Sequence, residues 1–196
     1  MAIVINGSGT VTGLAVGGLP DGTVDAGTLA TDSVTAAKLE VSAITGADLP
    51  AGSVLQVVQG TTDTETINTT TTFANTTLTA TITPSATSSK ILVILTQGIW
   101  IERSGGESIA AWINLMRDTT QINQRYYELE AGLNNENDRA LAVTHAENFL
   151  DTPSTASAVT YKTQVKLGLS TASPQVATQK GGTNYHSKIT LLEIAG

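Results

Sequence analysis

The chain has 196 residues and a formal charge of −7, from 17 acidic against 10 basic side chains. That balance, with no basic run, excludes the clustered Lys and Arg on which phosphate recognition depends, so nucleic acid is not an expected partner. Cysteine is absent, which removes disulfides and thiolate metal sites, and the low charged fraction with prominent Thr and Gly marks an ordered, soluble, β-rich chain rather than a disordered one.

Residues 1–18 combine a short apolar piece, Ala2 to Ile5, with Asn6-Gly7-Ser8-Gly9 and Gly17-Gly18, combinations that punctuate structure rather than extend it. We read them as an attachment segment or an irregular lead-in. The start lacks the positive charge of a signal peptide, and the longest strongly apolar run, Ile91 to Leu95, is far too short to cross a bilayer. Synthesis in a cytoplasm, without Sec export or membrane insertion, is the expectation.

Residues 19–53 carry a five-residue repeat. A large aliphatic falls at Leu19, Val24, Leu29, Val34, Leu39, Ile44, Leu49 and Val54, and a small or short residue stands two places before each: Gly17, Gly22, Gly27, Asp32, Ala37, Ser42, Ala47 and Gly52. On an α-helix a step of five turns the side chain by about 140°, scattering the aliphatics around the cylinder instead of forming a stripe. In extended chain every tenth residue returns to the same face. Two arrangements satisfy the spacing: a winding of several chains, or a square β-solenoid like that of pentapeptide-repeat proteins. Eight units would complete only two solenoid turns, and eight buried aliphatics fall well short of the entropy of ordering so long a segment, so the repeat is expected to be ordered by association. One helical turn within Thr31 to Ala43 is compatible with Ala36-Ala37-Lys38-Leu39-Glu40. The Leu-Pro pairs at Leu19-Pro20 and Leu49-Pro50 mark bends at its ends.

From Val54 to the end, residues 54–196, strand-like runs alternate with Gly, Asn, Ser, Thr and Pro clusters. Leu78, Ala80 and Ile82 alternate with Thr79, Thr81 and Thr83 until Pro84, the pattern of a strand with one buried face. Lys90 to Ile101 is apolar almost throughout and reads as a central strand covered on both sides. Ile109 to Arg117 and Thr120 to Glu130 form a hairpin about Asp118-Thr119. Arg139 to Leu150 tolerates helix but reads as strand beside its neighbours. Tyr161, Thr163, Val165, Leu167 and Leu169 define another strand, and Ser187 to Ile194 a last one. Eight or more strands in this length predict an antiparallel β-sandwich or jelly roll.

Chemistry-bearing constellations are sparse, and neither a cofactor nor a metal is expected. His145 and His186 lack a spaced carboxylate motif; His145 shares an alternation with Leu141 and Val143 and reads as packed or interfacial. Glu102 and Glu107 flank Ser104-Gly105-Gly106 and are the one pair with the look of glycosidase acids. Asn134-Asn135-Glu136-Asn137-Asp138 has the oxygen-rich composition of a calcium loop without its spacing. Trp100 and Trp112 lie in apolar runs and read as core. Tyr126-Tyr127 sends one ring to each face of its strand.

Several phrases resemble small tail-fibre-like virion proteins of marine, cyanophage-type bacteriophages. They are Thr12-Gly-Leu-Ala-Val-Gly-Gly-Leu-Pro-Asp-Gly-Thr-Val, Asp32-Ser-Val-Thr-Ala-Ala-Lys-Leu, Leu49-Pro-Ala-Gly-Ser-Val-Leu-Gln-Val-Val, Ile82-Thr-Pro-Ser-Ala-Thr-Ser-Ser-Lys-Ile-Leu-Val, Met116-Arg-Asp and Ile189-Thr-Leu-Leu-Glu-Ile, in that order. The resemblance implies a homotrimeric virion fibre whose N-terminus attaches to other virion proteins and whose β-rich head faces outward. It implies no catalytic residue.

Three readings follow. The first is a non-enzymatic fibre protein with an attachment segment (1–18), a repeat shaft (19–53) assembling through the eight aliphatics, and a sandwich head (54–196). The polar loops Ser104 to Glu107 and Asn134 to Asp138 would contact a host-surface glycan or protein. The second is a capsid decoration protein or head fibre. The third is a surface glycan hydrolase with Glu102 and Glu107 as its acids.

Overall fold

The computed structural model describes residues 34–35, 44–103, 108–129, 139–168, 174–181 and 186–196. Two compact units divide the chain, Met1–Thr45 and Gly46–Gly196. In the first, Val34 and Ile44 are exposed; Leu19, Val24, Leu29 and Leu39, together with the helical turn expected within 31–43, lie outside the described residues.

The second unit opens with a 3-10 turn, Gly46–Asp48, and a tight bend after Pro50, where Ser53 N–H donates to the Pro50 carbonyl at 3.1 Å and Gly52 takes a φ of 91° that a side chain would disfavour. Its strands are β1 (Val54–Thr62), β2 (Thr66–Asn68), β3 (Ala74–Ile82), β4 (Lys90–Arg103), β5 (Ile109–Arg117), β6 (Thr120–Leu129), β7 (Arg139–Asp151), β8 (Val159–Leu167), β9 (Gln175–Thr178) and β10 (Ser187–Ile194).

Four antiparallel pairs, β1·β10, β3·β8, β4·β7 and β5·β6, nest one inside the next along the chain. They fold into two sheets, β1-β10-β4-β7 and β3-β8-β5-β6, which is the strand order of a jelly roll. The short pair β2·β9 extends the first sheet. One edge of β4 is covered along its whole length by β7, whereas the other is shared between β10, against Lys188↔Thr96 to Ile194↔Lys90, and β9, against Ile99↔Thr178 to Glu102↔Gln175. At the fork stands Gly98, whose N–H donates to Ser187 Oγ and whose carbonyl accepts from Gln179 N–H.

Alternation in the sequence becomes the inner surface. Leu78, Ala80 and Ile82 of β3 are buried between exposed threonines and pack with Ile91, Val93 and Leu95 of β4, whose Ile99 and Ile101 are buried further along the strand. β8 and β10 alternate in the same way. Two apolar clusters result, one built on Leu78, Ile91, Val93, Leu95, Tyr161, Ile189 and Leu191, the other on Ile99, Ile101, Ile109, Ile113, Val165, Leu167 and Val176. A polar waist of Thr76, Gln97, His145 and Thr163, all buried, lies in the same interior. The two threonine hydroxyls are 2.6 Å apart, and Gln97 Nε2 donates to Thr76 Oγ1 at 3.3 Å.

The expectation that Lys90 to Ile101 is covered on both faces fails. Its odd residues are inside, but Ile94 is 40% exposed and Leu92 and Trp100 are half-buried on an open outer face. Trp112 is likewise half-buried rather than core, its ring centroid 4.6 Å from that of the exposed Tyr126 and tilted 50° to it.

Side chains and backbone close the sandwich at both seams. A Cβ on Gly60 of β1 would stand 2.0 Å from the Thr79 carbonyl oxygen of β3, so those strands touch backbone to backbone. Across the opposite seam, Asn123 of β6 donates to Glu147 of β7, and Tyr127 Oη lies 2.9 Å from His145 Nδ1. The β5–β6 turn uses Asp118 at a φ of 51°, and its carboxylate accepts the Thr160 N–H at 2.9 Å, joining the hairpin to β8.

Both ends of the unit meet at one pole. Ala195 N–H donates to the Ser53 carbonyl, and Gly52 N–H to the Ala195 carbonyl, at 2.8 Å each. Glu193 ties that pole together: fully buried, it accepts from Ser85 N–H, Ser85 Oγ, Ser89 Oγ and Gln56 Nε2 at 2.6–2.7 Å. The opposite pole holds the strand ends Arg103, Ile109, Leu129 and Arg139, from which the connections 104–107 and 130–138 leave.

Candidate functional site

Two surface features share the outer face of the first sheet. Near the pole where β1 begins, register places Val57, Leu192, Leu92 and Leu150 directly side by side across β1, β10, β4 and β7. Directly opposed residues on antiparallel strands share a face, so these four form one continuous apolar row. Its ends are open, with Val57 58% and Leu150 54% exposed, and Val54 and Ile94 continue it. Of the repeat aliphatics, Leu49 and Val54 lie beside this pole and are exposed.

Eight residues along β4 from Leu92, or about 26 Å, the face changes character. Trp100 pairs with Ala142 on β7 and Ala177 on β9, and Gly98 precedes it on the same face. Small neighbours on three sides leave the indole beside a shallow cavity of about 110 Å³, lined by Gly98, Ile99, Trp100, Ala142, Val143, Thr144 and Lys180. Glu102 fixes the ring: its carboxylate accepts from Trp100 Nε1 and from Gln175 Nε2. Lys180 Nζ reaches the same carboxylate at 3.7 Å and Glu65 at 3.9 Å. The Trp100 hydrogen bond, with those of Gln175 and Lys180 and the Lys180 charge, holds the Glu102 carboxyl below its ordinary value against the effect of burial. That direction is opposite to what a glycosidase general acid requires.

A second titratable cluster is sealed within the fold. His145 Nε2 lies 3.2 Å from Glu147 Oε2, both side chains almost wholly buried at the β6–β7 seam. Burial pushes the Glu147 carboxyl up, but the contacts from His145 and Asn123 outweigh it and the net direction is down. The histidine is packed, as its alternation with Leu141 and Val143 suggests, and this cluster joins the sheets. Among the described residues no group of three His, Asp or Glu side chains is placed to hold a metal ion.

The expected contact residues Ser104, Glu107, Asn134, Asn135, Glu136, Asn137 and Asp138 lie outside the described residues; the strand ends that flank their two loops meet at the pole far from β1. Glu107, the proposed partner of Glu102, is among them. Trp100, Lys180 and Gln175 were not expected as a group. Parity offered the available signal: Gly98, Trp100 and Glu102 share the even positions of β4, while the core aliphatics occupy the odd ones.

No family model matches the chain, and no curated protein matches it. Among solved structures, it resembles that of the infectious bursal disease virus Gx strain with 16% identity, over 72% of this chain and 37% of that one, at a TM-score of 0.29. The infectious bursal disease virus VP2 subviral particle is similar at 13% identity, over 71% and 39%, with a TM-score of 0.28. The chain thus spans under two-fifths of each.

Proposed function

We propose that this chain is a structural subunit of a virion fibre. Residues 1–18 anchor it to other virion proteins, residues 19–53 join three copies, and the sandwich carries a surface for host attachment. The observation behind the assembly is the apolar row of Val57, Leu192, Leu92 and Leu150, open at both ends on the pole from which the N-terminal segment departs. A contiguous row of this kind is unusual on a monomer and is stabilised by association. The ordered phrases resembling phage fibre proteins favour the virion setting. The polarity of the head supports attachment: β1 begins at one pole, and Trp100 and the strand ends that flank the two contact loops belong to the other.

Native mass measurement of the full chain tests the assembly. Three copies are expected, and replacing both Val57 and Leu150 by Asp should shift the population to monomer while circular dichroism remains that of the wild type. A wild-type chain that stays monomeric at high concentration refutes the assembly. Electron microscopy of the particle separates the fibre from its rival: copies spread over the capsid shell would make this a decoration protein.

A further inference from the structure

We propose that the groove beside Trp100 binds the ring of a neutral saccharide. This deepens the attachment part of the reading above and is independent of its assembly part.

The chemistry of the walls selects the ligand class. A flat indole, negative over its face, attracts the weakly positive C–H face of a pyranose. Trp100 is presented for this: its in-register neighbours are Ala142 and Ala177, Gly98 leaves the adjoining floor clear, and the hydrogen bond to Glu102 fixes the ring before any ligand arrives. Sugar hydroxyls project from the ring edge and need both donors and acceptors. Lys180 supplies N–H donors, Glu102 acceptor oxygens and Thr144 a hydroxyl. Both Lys180 ion pairs are long, at 3.7 and 3.9 Å, and its side chain is one-third exposed, so the ammonium can turn to a hydroxyl without abandoning a short bond. A concave site with one apolar platform and a few convergent polar groups is the usual form of a small-ligand site.

Charge argues for neutrality. Two carboxylates, Glu65 and Glu102, face a single ammonium, and the chain as a whole is acidic. Phosphates, sulfates and uronic acids are repelled. Among the described lining residues Trp100 is the one aromatic ring, and a single ring does not make the cage that quaternary ammonium ligands require.

The test uses the intact chain and ligand-observed NMR with the methyl glycosides of glucose, galactose, mannose and N-acetylglucosamine, and with methyl glucuronide as an acidic counterpart. At least one neutral glycoside should bind in the millimolar range, and the glucuronide should bind more weakly than glucose. Trp100→Ala should abolish the signal, and Lys180→Met, a change outside the strands, should weaken binding about tenfold. Trp112→Phe should leave it unchanged, and circular dichroism should report a folded sandwich for each variant. Failure of all four neutral glycosides, wild-type binding by Trp100→Ala, or preference for the glucuronide overturns the proposal. Native mass of the Trp100→Ala protein should still show the wild-type assembly, so loss of sugar binding and loss of trimer are read separately.

Discussion

Replacing Glu193 tests how the pole where the chain enters and ends is held. Its carboxylate, wholly buried, gathers four donors from three places in the chain: Gln56 on β1, and Ser85 and Ser89 in the connection from β3 to β4. Glu193→Ala removes the common acceptor. Gln56 and Ser85 lie nearer the surface and regain water, whereas Ser89 is 1% exposed and does not. One fully buried hydrogen bond to a charged acceptor, plus partial losses at the others, gives a cost of about 3 kcal/mol. Glu193→Gln should cost less but not nothing, since its amide turns N–H groups toward serine donors. Burial raises the Glu193 carboxyl, yet the hydrogen bonds from Ser85, Ser89 and Gln56 outweigh it and leave it below its ordinary value. A carboxyl depressed in the folded state contributes stability above its unfolded pKa and loses it as pH falls through the folded pKa. The gap between wild type and Glu193→Gln should therefore be widest at neutral pH and shrink in acid. Urea unfolding followed by circular dichroism, at one protein concentration across that pH range, measures it. Wild-type stability of Glu193→Ala, or a gap that does not narrow in acid, would refute this account.

Two further outcomes can be checked. Gly60→Ala drives a methyl group into the Thr79 carbonyl across the β1–β3 seam, and should destabilise the sandwich by about 3 kcal/mol or more in the same unfolding assay. Burial and a 2.7 Å hydrogen bond to Asp151 raise the Tyr161 phenol far above its ordinary value, further than burial raises Tyr126 and Tyr127, so in an ultraviolet titration it should ionise after those two and only as the protein unfolds; Tyr161→Phe should cost about 1 kcal/mol at neutral pH and remove that late-titrating group.

Where one face of a strand is polar, the sequence discloses the fold: Leu78, Ala80 and Ile82 between threonines, or Tyr161 to Leu167 between polar residues, state which side is inward. β4 concealed its parity because Leu92, Ile94 and Trp100 make its outer positions as apolar as its inner ones, and the reason is the surface those residues form. β2 and β9 are too short to show a period and exist through their pairing with each other and with β4. The Trp100 groove draws on β4, β7, β9 and the turn holding Lys180, and no local pattern specifies that register. Glu193 was legible in principle, since it shares the odd, inward positions of β10 with Ile189 and Leu191, and a carboxylate at an inward position requires donors.

The nested pairing also decides when the domain can be finished. Among the described residues β1 finds its sheet partner in β10, the last strand of the sandwich in chain order, and Val57 must wait for Leu192. Pairings this distant in sequence form slowly, and a chain cut short before Ser187 leaves β1 without its partner and exposes the edge of β4 over Lys90 to Thr96. Closure of the first sheet is thus conditional on a single strand: until Ser187 to Ile194 is in place, neither β1 nor this edge of β4 is paired.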